Sequence, residues 1–319
     1  YPIISAVAGL NDRALQQALE RLLDAGLILA EGTAPEAHYT FAHALIRDTA
    51  YESLLRSARQ TLHGQIADAL RDRFPDLAEQ APELLAQHYT EAGQFETALD
   101  WWLRAGRRAV TRSSNLEAIS HVSRGLAILS QLASRNTHIK TELDLQLTLG
   151  QASMTVNGYA AESTVAAFAE ARRLVEAVGD PEQRYAVLYG LYASSLMAGE
   201  TSTTREIVDR FLELASTEDN TGYRCLAERM LGILCYYRGD FDTARRHLGQ
   251  AIALYDPEQH RDFAYRFGSD IGLAAQVYLS LNEWIAGRPD TAVRLASECL
   301  DRARRFGHAL TLVQTLSLV

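Results

Sequence analysis

The sequence predicts a mainly α-helical chain in which a small module of helices and two strands precedes an α-α superhelix of repeated helix pairs. Three observations predict this class. Apolar residues recur every three to four positions along most of the 319 residues. Only 7 residues are proline, which leaves room for long helices. A turn built around a glycine returns four times after residue 82.

Composition indicates a folded chain and argues against two classes of partner. Hydrophobic residues make up 47% of the chain and charged residues 22%, which is typical of a globular domain rather than a disordered one. The 31 basic residues are outnumbered by 40 acidic ones, for a net charge of −9, so nucleic acid is not an expected direct partner. No run approaches the roughly 20 apolar residues that cross a bilayer, so we expect no membrane contact.

The cysteines and the chain ends bear on compartment and completeness. Cys225, Cys235 and Cys299 are too few and too scattered for a disulfide framework or a zinc site, and we expect them to be reduced in a cytoplasm. The chain begins at Tyr1 rather than Met, and no solubilising cap follows Val319. We therefore expect a piece of a longer protein, truncated at both ends.

The first module begins with a capped amphipathic helix. Asn11 or Asp12 can cap it, and Leu15, Leu19 and Leu22 then fall on one face. A strand, a turn, a second strand and two more helices follow in order, over 27–29, 31–36, 38–41, 42–55 and 58–74. Helices combined with a two-stranded hairpin predict a winged-helix domain at residues 1–74.

The charge of this module favours packing over DNA binding. Residues 1–74 contain seven arginines and nine acidic residues, which leaves a net charge of −2. DNA binding remains an alternative, but affinity for phosphates requires a basic face. We expect the module to pack against another protein domain.

The second region, residues 75–319, contains the repeated turns. In each, a glycine ends one helix, and a small residue follows five positions later inside the next helix. Small residues let antiparallel helices cross closely, and glycine supplies the tight turn. The pairs are Gly93 with Ala98, Gly199 with Thr204, Gly239 with Ala244, and Gly287 with Ala292.

These features predict tetratricopeptide-like repeats of irregular length. The usual period is about 34 residues, whereas Gly199 and Gly239 are 40 residues apart and Gly239 and Gly287 are 48 apart. We expect longer helix pairs than the standard repeat has.

Catalytic motifs are missing from the sequence. The only lysine, Lys140, follows Ile139, so the chain holds no Walker A motif, and neither a GxGxxG, a GxSxG nor an HExxH pattern occurs. Asp262, Arg266 and Asp270 fall at helical spacing and predict a salt-bridge ladder rather than a metal site. We therefore expect no enzyme activity, cofactor or metal in this segment.

His43 is the first candidate site residue. It stands at the start of a predicted helix, directly after the strand that ends at Phe41. A histidine at a helix N-terminus can contact a phosphate. The alternative is a histidine satisfied within the core.

Tyrosines form the second candidate site. Tyr185, Tyr189 and Tyr192 fall on one face of a predicted helix, and Tyr236 and Tyr237 end another. Rigid aromatic side chains make good contacts in a repeat groove, so we predict that these five contact a ligand or partner. The alternative is that they pack in the core.

Several segments carry a family resemblance. They are YTFAHALIRDTAYESLL at 39–55, LLAQHYTEAG at 84–93, ALDWWLRAG at 98–106, ELDLQL at 142–147 and HLGQAIALYD at 247–256. The first resembles the winged-helix segment that follows the ATPase core in signal-transduction ATPases with numerous domains. The others are similar to a bacterial branch in which a class III adenylate/guanylate cyclase domain precedes an AAA-type ATPase, a winged helix and tetratricopeptide repeats.

The resemblance implies a division of labour within a longer protein. Upstream domains would bind ATP or ADP with Mg²⁺ and carry any cyclase activity, while this segment would pack on the ATPase domain and bind an inducer. In related switch ATPases a winged-helix histidine touches the β-phosphate of ADP, and His43 matches that position. Inducer binding would favour the ATP-bound, assembled homo-oligomer.

Two other outputs remain open. Relatives without the cyclase act as ATP-dependent transcriptional regulators of the maltose-regulator type, and a stand-alone repeat scaffold is a third possibility. The chemical nature of the inducer does not follow from the sequence.

Overall fold

The computed structural model describes residues 1–132, 135–178, 180–218 and 220–319, with the backbone alone at positions 135 and 136. These residues form eighteen α-helices and one two-stranded antiparallel sheet. They divide into two compact units, Tyr1–Ala105 with Arg124–Arg135, and Gly106–Ser123 with Asn136–Val319. Within the first unit, α4 (Arg56–Arg73) packs against α6 (Pro82–Glu91), and the division of the chain into two modules at residue 74 stays a prediction.

The first unit begins with the predicted order of helix, hairpin and helices. Its elements up to the first repeat turn, at Gly93, are α1 Pro2–Val7, α2 Asp12–Asp24, β1 Ile28–Glu31, β2 His38–Phe41, α3 Ala44–Glu52, α4, α5 Pro75–Gln80 and α6. The side chain of Asn11 caps α2 by accepting from the Ala14 amide at 2.9 Å. Leu15 and Leu19 are buried against Ile28, whereas Leu22 is exposed.

The remaining helices follow one another along the chain. They are α7 Phe95–Thr111, α8 Asn115–Leu129, α9 Ile139–Asn157, α10 Glu162–Val178, α11 Pro181–Met197, α12 Thr201–Thr217, α13 Thr221–Tyr237, α14 Phe241–Leu254, α15 Phe263–Phe267, α16 Ile271–Ile285, α17 Pro289–Phe306 and α18 Ala309–Leu318. In the second unit, α9 packs on α10, α13 on α14 and α16 on α17. None of the helices in the described ranges is long and apolar enough to cross a membrane.

The four repeat glycines occupy one and the same turn. Gly93, Gly199, Gly239 and Gly287 all have φ between 76° and 78°. At the first of them, the Gly93 amide donates to Thr90 and the Gln94 amide to Tyr89. This is the Schellman arrangement, which satisfies the last carbonyls of the preceding helix and needs a left-handed residue at its centre. The same two hydrogen bonds recur at the other three glycines.

Another turn of this kind has no glycine. Ser113 follows α7 with φ of 60°. Its amide donates to Val110 at 2.9 Å, and the Ser114 amide donates to Ala109 at 2.8 Å. The turn therefore has the hydrogen bonds of the other four with a residue that disfavours the left-handed region.

Small residues lie where the helices cross. Ala98, Ala244 and Ala292 are buried. A Cβ atom on Gly232 of α13 would stand 2.7 Å from Cγ of Leu248 on α14. This close approach explains why the crossing positions require small side chains.

The predicted ladder of Asp262, Arg266 and Asp270 does not form. α15 spans only Phe263–Phe267, because Gly268 takes a left-handed conformation and ends it. Asp270 instead caps α16, where its carboxylate accepts from the Leu273 amide at 2.7 Å. The prediction was wrong because residues at i, i+4 and i+8 share a face only when one continuous helix contains all three.

Candidate functional site

The tyrosine stripe of α11 lies in the core. Tyr185, Tyr189 and Tyr192 are 0%, 8% and 3% exposed. The Tyr185 ring stacks on Tyr223 with centroids 3.6 Å apart, and Tyr189 meets the edge of Phe267. We therefore correct the expectation that these three side chains face a groove: in this structure they pack in the core, as the alternative interpretation holds.

The two tyrosines at the end of α13 differ from each other. Tyr236 is half-buried and packs edge-on against Phe241 and Tyr278. Tyr237 is 51% exposed, and its hydroxyl lies 3.3 Å from that of Tyr278. Of the five predicted tyrosines, Tyr237 alone presents a large surface, so a ligand contact stays a prediction for that residue.

A charged cavity of about 350 Å³ lies among α7, α9, α11 and α15. On its wall, Arg107 forms an ion pair with Asp144 at 2.9 Å, and the Gln183 amide donates to the same carboxylate at 2.6 Å. The Gln183 side chain is 8% exposed, and its Oε1 atom is buried without a hydrogen-bond donor in the described part of the chain. This oxygen can accept a hydrogen bond from a ligand N–H or a bound water.

A smaller, mostly apolar cavity of about 190 Å³ adjoins the charged one. The two share Val110, Gln151 and Tyr265 in their linings. Its other lining residues include Met154, Tyr159, Gly268, His308, Leu310 and Val313. Burial lowers the pKa of His308, which favours the neutral imidazole. We call the two cavities together the repeat groove; it offers polar groups at one end and an apolar pocket at the other.

A third cavity, of about 550 Å³, lies on α10, α11 and α12. Val187, Leu188 and Leu191 line it together with charged side chains such as Arg184 and Arg210. In the described ranges, no residue of its lining has a buried polar atom without a hydrogen-bond partner. This cavity is therefore a weaker candidate for a specific ligand site than the repeat groove.

His43 lies on the surface of the first unit. It is the N-cap residue of α3 with extended backbone, and its side chain makes no capping hydrogen bond. The residue is exposed, and its carbonyl accepts from the Ile46 amide at 3.0 Å. The imidazole therefore stands open to a partner, and its contact with a nucleotide stays a prediction.

Neither the contact of Gln183 nor the turn at Ser113 was predicted from the sequence. Gln183 bonds to Asp144, which is 39 positions away in the sequence, and such a distant pairing leaves no local signal. The sequence signal for a turn at Ser113 is weak, because serine does not require a left-handed backbone. Among the described residues, no group of three or more His, Cys, Asp or Glu side chains is placed to hold a metal ion.

Comparison with known proteins begins with sequence. No family model matches the chain. An uncharacterised protein of Rhizobium meliloti (strain 1021) is 25% identical over 308 residues, which are 93% of this chain and 29% of that protein. The chain thus spans less than a third of the length of this curated relative.

Comparison of structures concerns the fold. A crystal structure of a Rap protein complexed with Competence and Sporulation Factor superposes with a TM-score of 0.55 at 12% identity, over 85% of this chain and 79% of that chain. A signal-transduction ATPase with a tetratricopeptide repeat sensor from Pyrococcus horikoshii gives a TM-score of 0.47 at 10% identity, over 100% of this chain and 50% of that chain. With the helix pairs and turns described above, the likeness to the Rap structure assigns this chain an all-α repeat fold of the tetratricopeptide-like kind.

Proposed function

We propose that this chain is the regulatory segment of a multidomain switch ATPase. In this proposal residues 1–74 are a winged helix that packs on the nucleotide-binding domain of the same polypeptide, and the repeats bind the inducer. The segment binds ligands and partners and performs no catalysis itself. ATP or ADP with Mg²⁺ would be held by the upstream domain.

The observation that supports the proposal is a set of large apolar side chains that are exposed to solvent and lie near His43 in the sequence. Phe41 is 47% exposed, Leu45 78% and Leu55 76%. Scattered exposed leucines are ordinary, but three at this exposure within fifteen residues favour a covered surface in the whole protein. The adjacent open histidine fits a face that meets a bound nucleotide.

The repeat groove supports the sensor half of the proposal. The Rap protein in the solved structure holds Competence and Sporulation Factor, and a repeat fold of the same kind offers this chain a groove for an inducer. Gln183, whose Oε1 atom is buried without a donor among the described residues, belongs to the lining of this groove. An inducer that binds the assembled state more tightly than the resting state would shift the protein toward activity.

The decisive experiment measures nucleotide retention in the full-length protein. We expect His43→Ala to release ADP faster than wild type and to raise basal activity, because a contact that holds the resting state is lost. His38→Ala is the matched control, since His38 is an exposed histidine on the neighbouring strand. If His43→Ala and wild type release ADP at equal rates, the nucleotide role of His43 is refuted.

The output domain is tested separately. We propose a class III cyclase upstream, as the resemblance implies, and expect the purified full-length protein to convert ATP to cyclic AMP when induced. Salt-sensitive DNA binding by the full-length protein without cyclase activity would instead support the transcriptional regulator.

A further inference from the structure

Arg229 is a buried charge that faces no anion. It lies in the middle of α13 and is 2% exposed. Among the described residues, no carboxylate lies within ion-pair distance of it, and its Nε–H is buried without a partner. Its guanidinium makes a long hydrogen bond from Nη1 to the Ser269 hydroxyl, at 3.4 Å, and a second one to the Tyr189 side chain. The centroid of the Tyr189 ring lies 5.4 Å from Cζ.

Two other buried charged side chains of this protein, in contrast, have strong ionic or hydrogen-bond partners. Glu283 is 1% exposed and forms ion pairs with Arg245, at 2.8 Å, and with Arg288. Asp270 is fully buried and accepts from the Tyr255 hydroxyl at 2.6 Å as well as from a backbone amide. A buried charge that lacks such partners is strongly destabilising, and a tyrosine ring offsets only part of that penalty.

Arg229 does not line the repeat groove itself, but its hydrogen-bond partner is next in sequence to a residue of the apolar end. Ser269, which accepts its hydrogen bond, follows Gly268 of the cavity lining. Tyr159 also lines that cavity; burial raises its pKa to about 12, and the nearby charge of Arg229 opposes the rise. The charge of Arg229 likewise acts on the buried hydroxyl of Tyr192. The positive charge is thus surrounded by neutral hydroxyls and aromatic rings.

We propose that Arg229 binds the carboxylate of the ligand that enters the apolar end of the repeat groove. A guanidinium offers two parallel N–H donors that match the two oxygens of a carboxylate. The cavity wall of Met154, Leu310 and Val313 suits a small apolar body attached to that carboxylate. Because Arg229 lies outside the cavity lining, the ligand reaches it only when a side chain of the lining, such as that of Tyr159, moves.

This inference rests on the proposed sensor function for the existence of a ligand, and it adds the ligand's chemical class. An apolar carboxylate has two sources, a free short-chain acid and the C-terminus of a peptide. The two sources share the same contact with Arg229, so the experiment contains an arm for each.

The experiment compares acids with their amides in the full-length protein. Titration calorimetry is done with hexanoate and hexanamide, and in a second arm with a random heptapeptide pool carrying either a free or an amidated C-terminus. We expect at least one acid to bind, its amide to bind about tenfold more weakly or not at all, and Arg229→Met to lose the same factor. Arg224→Met is the matched control, because Arg224 is exposed on the same helix.

The thermal unfolding of the unliganded variants supplies the second measurement. Arg229→Met should unfold at a temperature no lower than wild type, because an apolar chain of similar length replaces an unpaired charge. A clearly lower midpoint would assign Arg229 to packing against Tyr189 and overturn the proposal. Equal binding of acid and amide, or equal binding by wild type and Arg229→Met, would overturn it as well.

Failure of this inference is distinguishable from failure of the sensor function. If neither acid binds, the carboxylate assignment is refuted, whereas an inducer of another class would still satisfy the sensor proposal. The nucleotide-release experiment on His43 tests the switch-ATPase part of the proposed function, and its outcome does not depend on Arg229.

Discussion

The Nδ1 atoms of His63 and His88 lie 2.8 Å apart, so the imidazoles of α4 and α6 share one hydrogen bond. One of the two nitrogens must be protonated and the other must be a bare acceptor. His63 also meets the Tyr51 hydroxyl through Nε2 at 3.0 Å. The simplest assignment has Tyr51 donating to His63 and His63 donating to a neutral His88. These two hydrogen bonds, which we call the relay, link three helices of the first unit, α3, α4 and α6.

This relay predicts that stability falls in mild acid. Burial lowers the pKa of His88, and the neighbouring His63 lowers it further, while Glu91 acts in the opposite direction. A lowered pKa in the folded state means that the unfolded chain binds more protons, so stability is full above the ordinary histidine pKa of about 6.5 and is lost as pH falls below it.

The corresponding measurement is the unfolding midpoint between pH 7.5 and 5.0. We expect His88→Asn to show a shallower fall than wild type, because one titrating group is removed. The wild-type slope also contains His260 and His308, whose pKa values are lowered by burial. His38→Asn, on the exposed hairpin, is the control. A slope that His88→Asn leaves unchanged would show that the relay does not titrate with folding.

The Ser113 turn predicts a stabilising substitution. Ser113 adopts φ of 60°, a conformation that costs an L-residue roughly 1 kcal/mol and that glycine adopts freely. We expect Ser113→Gly to raise the free energy of unfolding by about 0.5–1 kcal/mol, measured by denaturant titration. The reciprocal change, Gly239→Ser, should lower it by a similar amount. A destabilised Ser113→Gly would mean that the serine side chain contributes more than the turn strain costs.

The turns also show how far local sequence determines this fold. A glycine five positions before a small residue predicted four helix ends, because a Schellman turn needs a left-handed residue and glycine supplies it at little steric cost. Ser113 forms the same turn without that signal. The continuous ladder of Asp262 and Asp270 was wrong for a related reason: Gly268 ends α15 between them.

Which face of a helix is buried was harder to predict than that the helix exists. The 3.6-residue period places Tyr185, Tyr189 and Tyr192 on one face, but α11 is covered on several sides, so the stripe packs inward. Two long-range polar contacts could not be predicted from the sequence either. Gln183 and Arg229 find their partners 39 and 40 positions away, and such pairings follow from tertiary packing alone.

Alanine substitutions at two helical glycines should change stability in opposite directions, because only one of the two glycines lies against the Phe168 ring. A Cβ atom on Gly190 of α11 would lie 2.1 Å from the Phe168 ring, whereas a Cβ on Gly249 of α14 meets nothing within 4 Å. We expect Gly190→Ala to lower the free energy of unfolding by about 1–3 kcal/mol through overpacking. Gly249→Ala should raise it by up to about 1 kcal/mol, because alanine is the better helix former.

Both alanine variants are measured by denaturant titration, and far-UV circular dichroism checks that the helices are retained. The pair controls for helix propensity, since both glycines lie inside helices without a left-handed backbone. Equal effects at the two positions would contradict the close approach of α11 to the Phe168 ring.

The last prediction separates packing from binding among the tyrosines. Tyr185 is fully buried, so Tyr185→Ala should lower the free energy of unfolding by about 3–5 kcal/mol, while Tyr185→Phe, which keeps the ring, should cost about 1 kcal/mol or less. Tyr237 is 51% exposed, and Tyr237→Ala should also cost about 1 kcal/mol or less. Loss of inducer response in Tyr237→Ala at unchanged stability would support a ligand contact at Tyr237. If Tyr185→Ala leaves stability unchanged, the burial of the α11 stripe is refuted, because removal of a buried aromatic ring from a close-packed core always leaves a cavity.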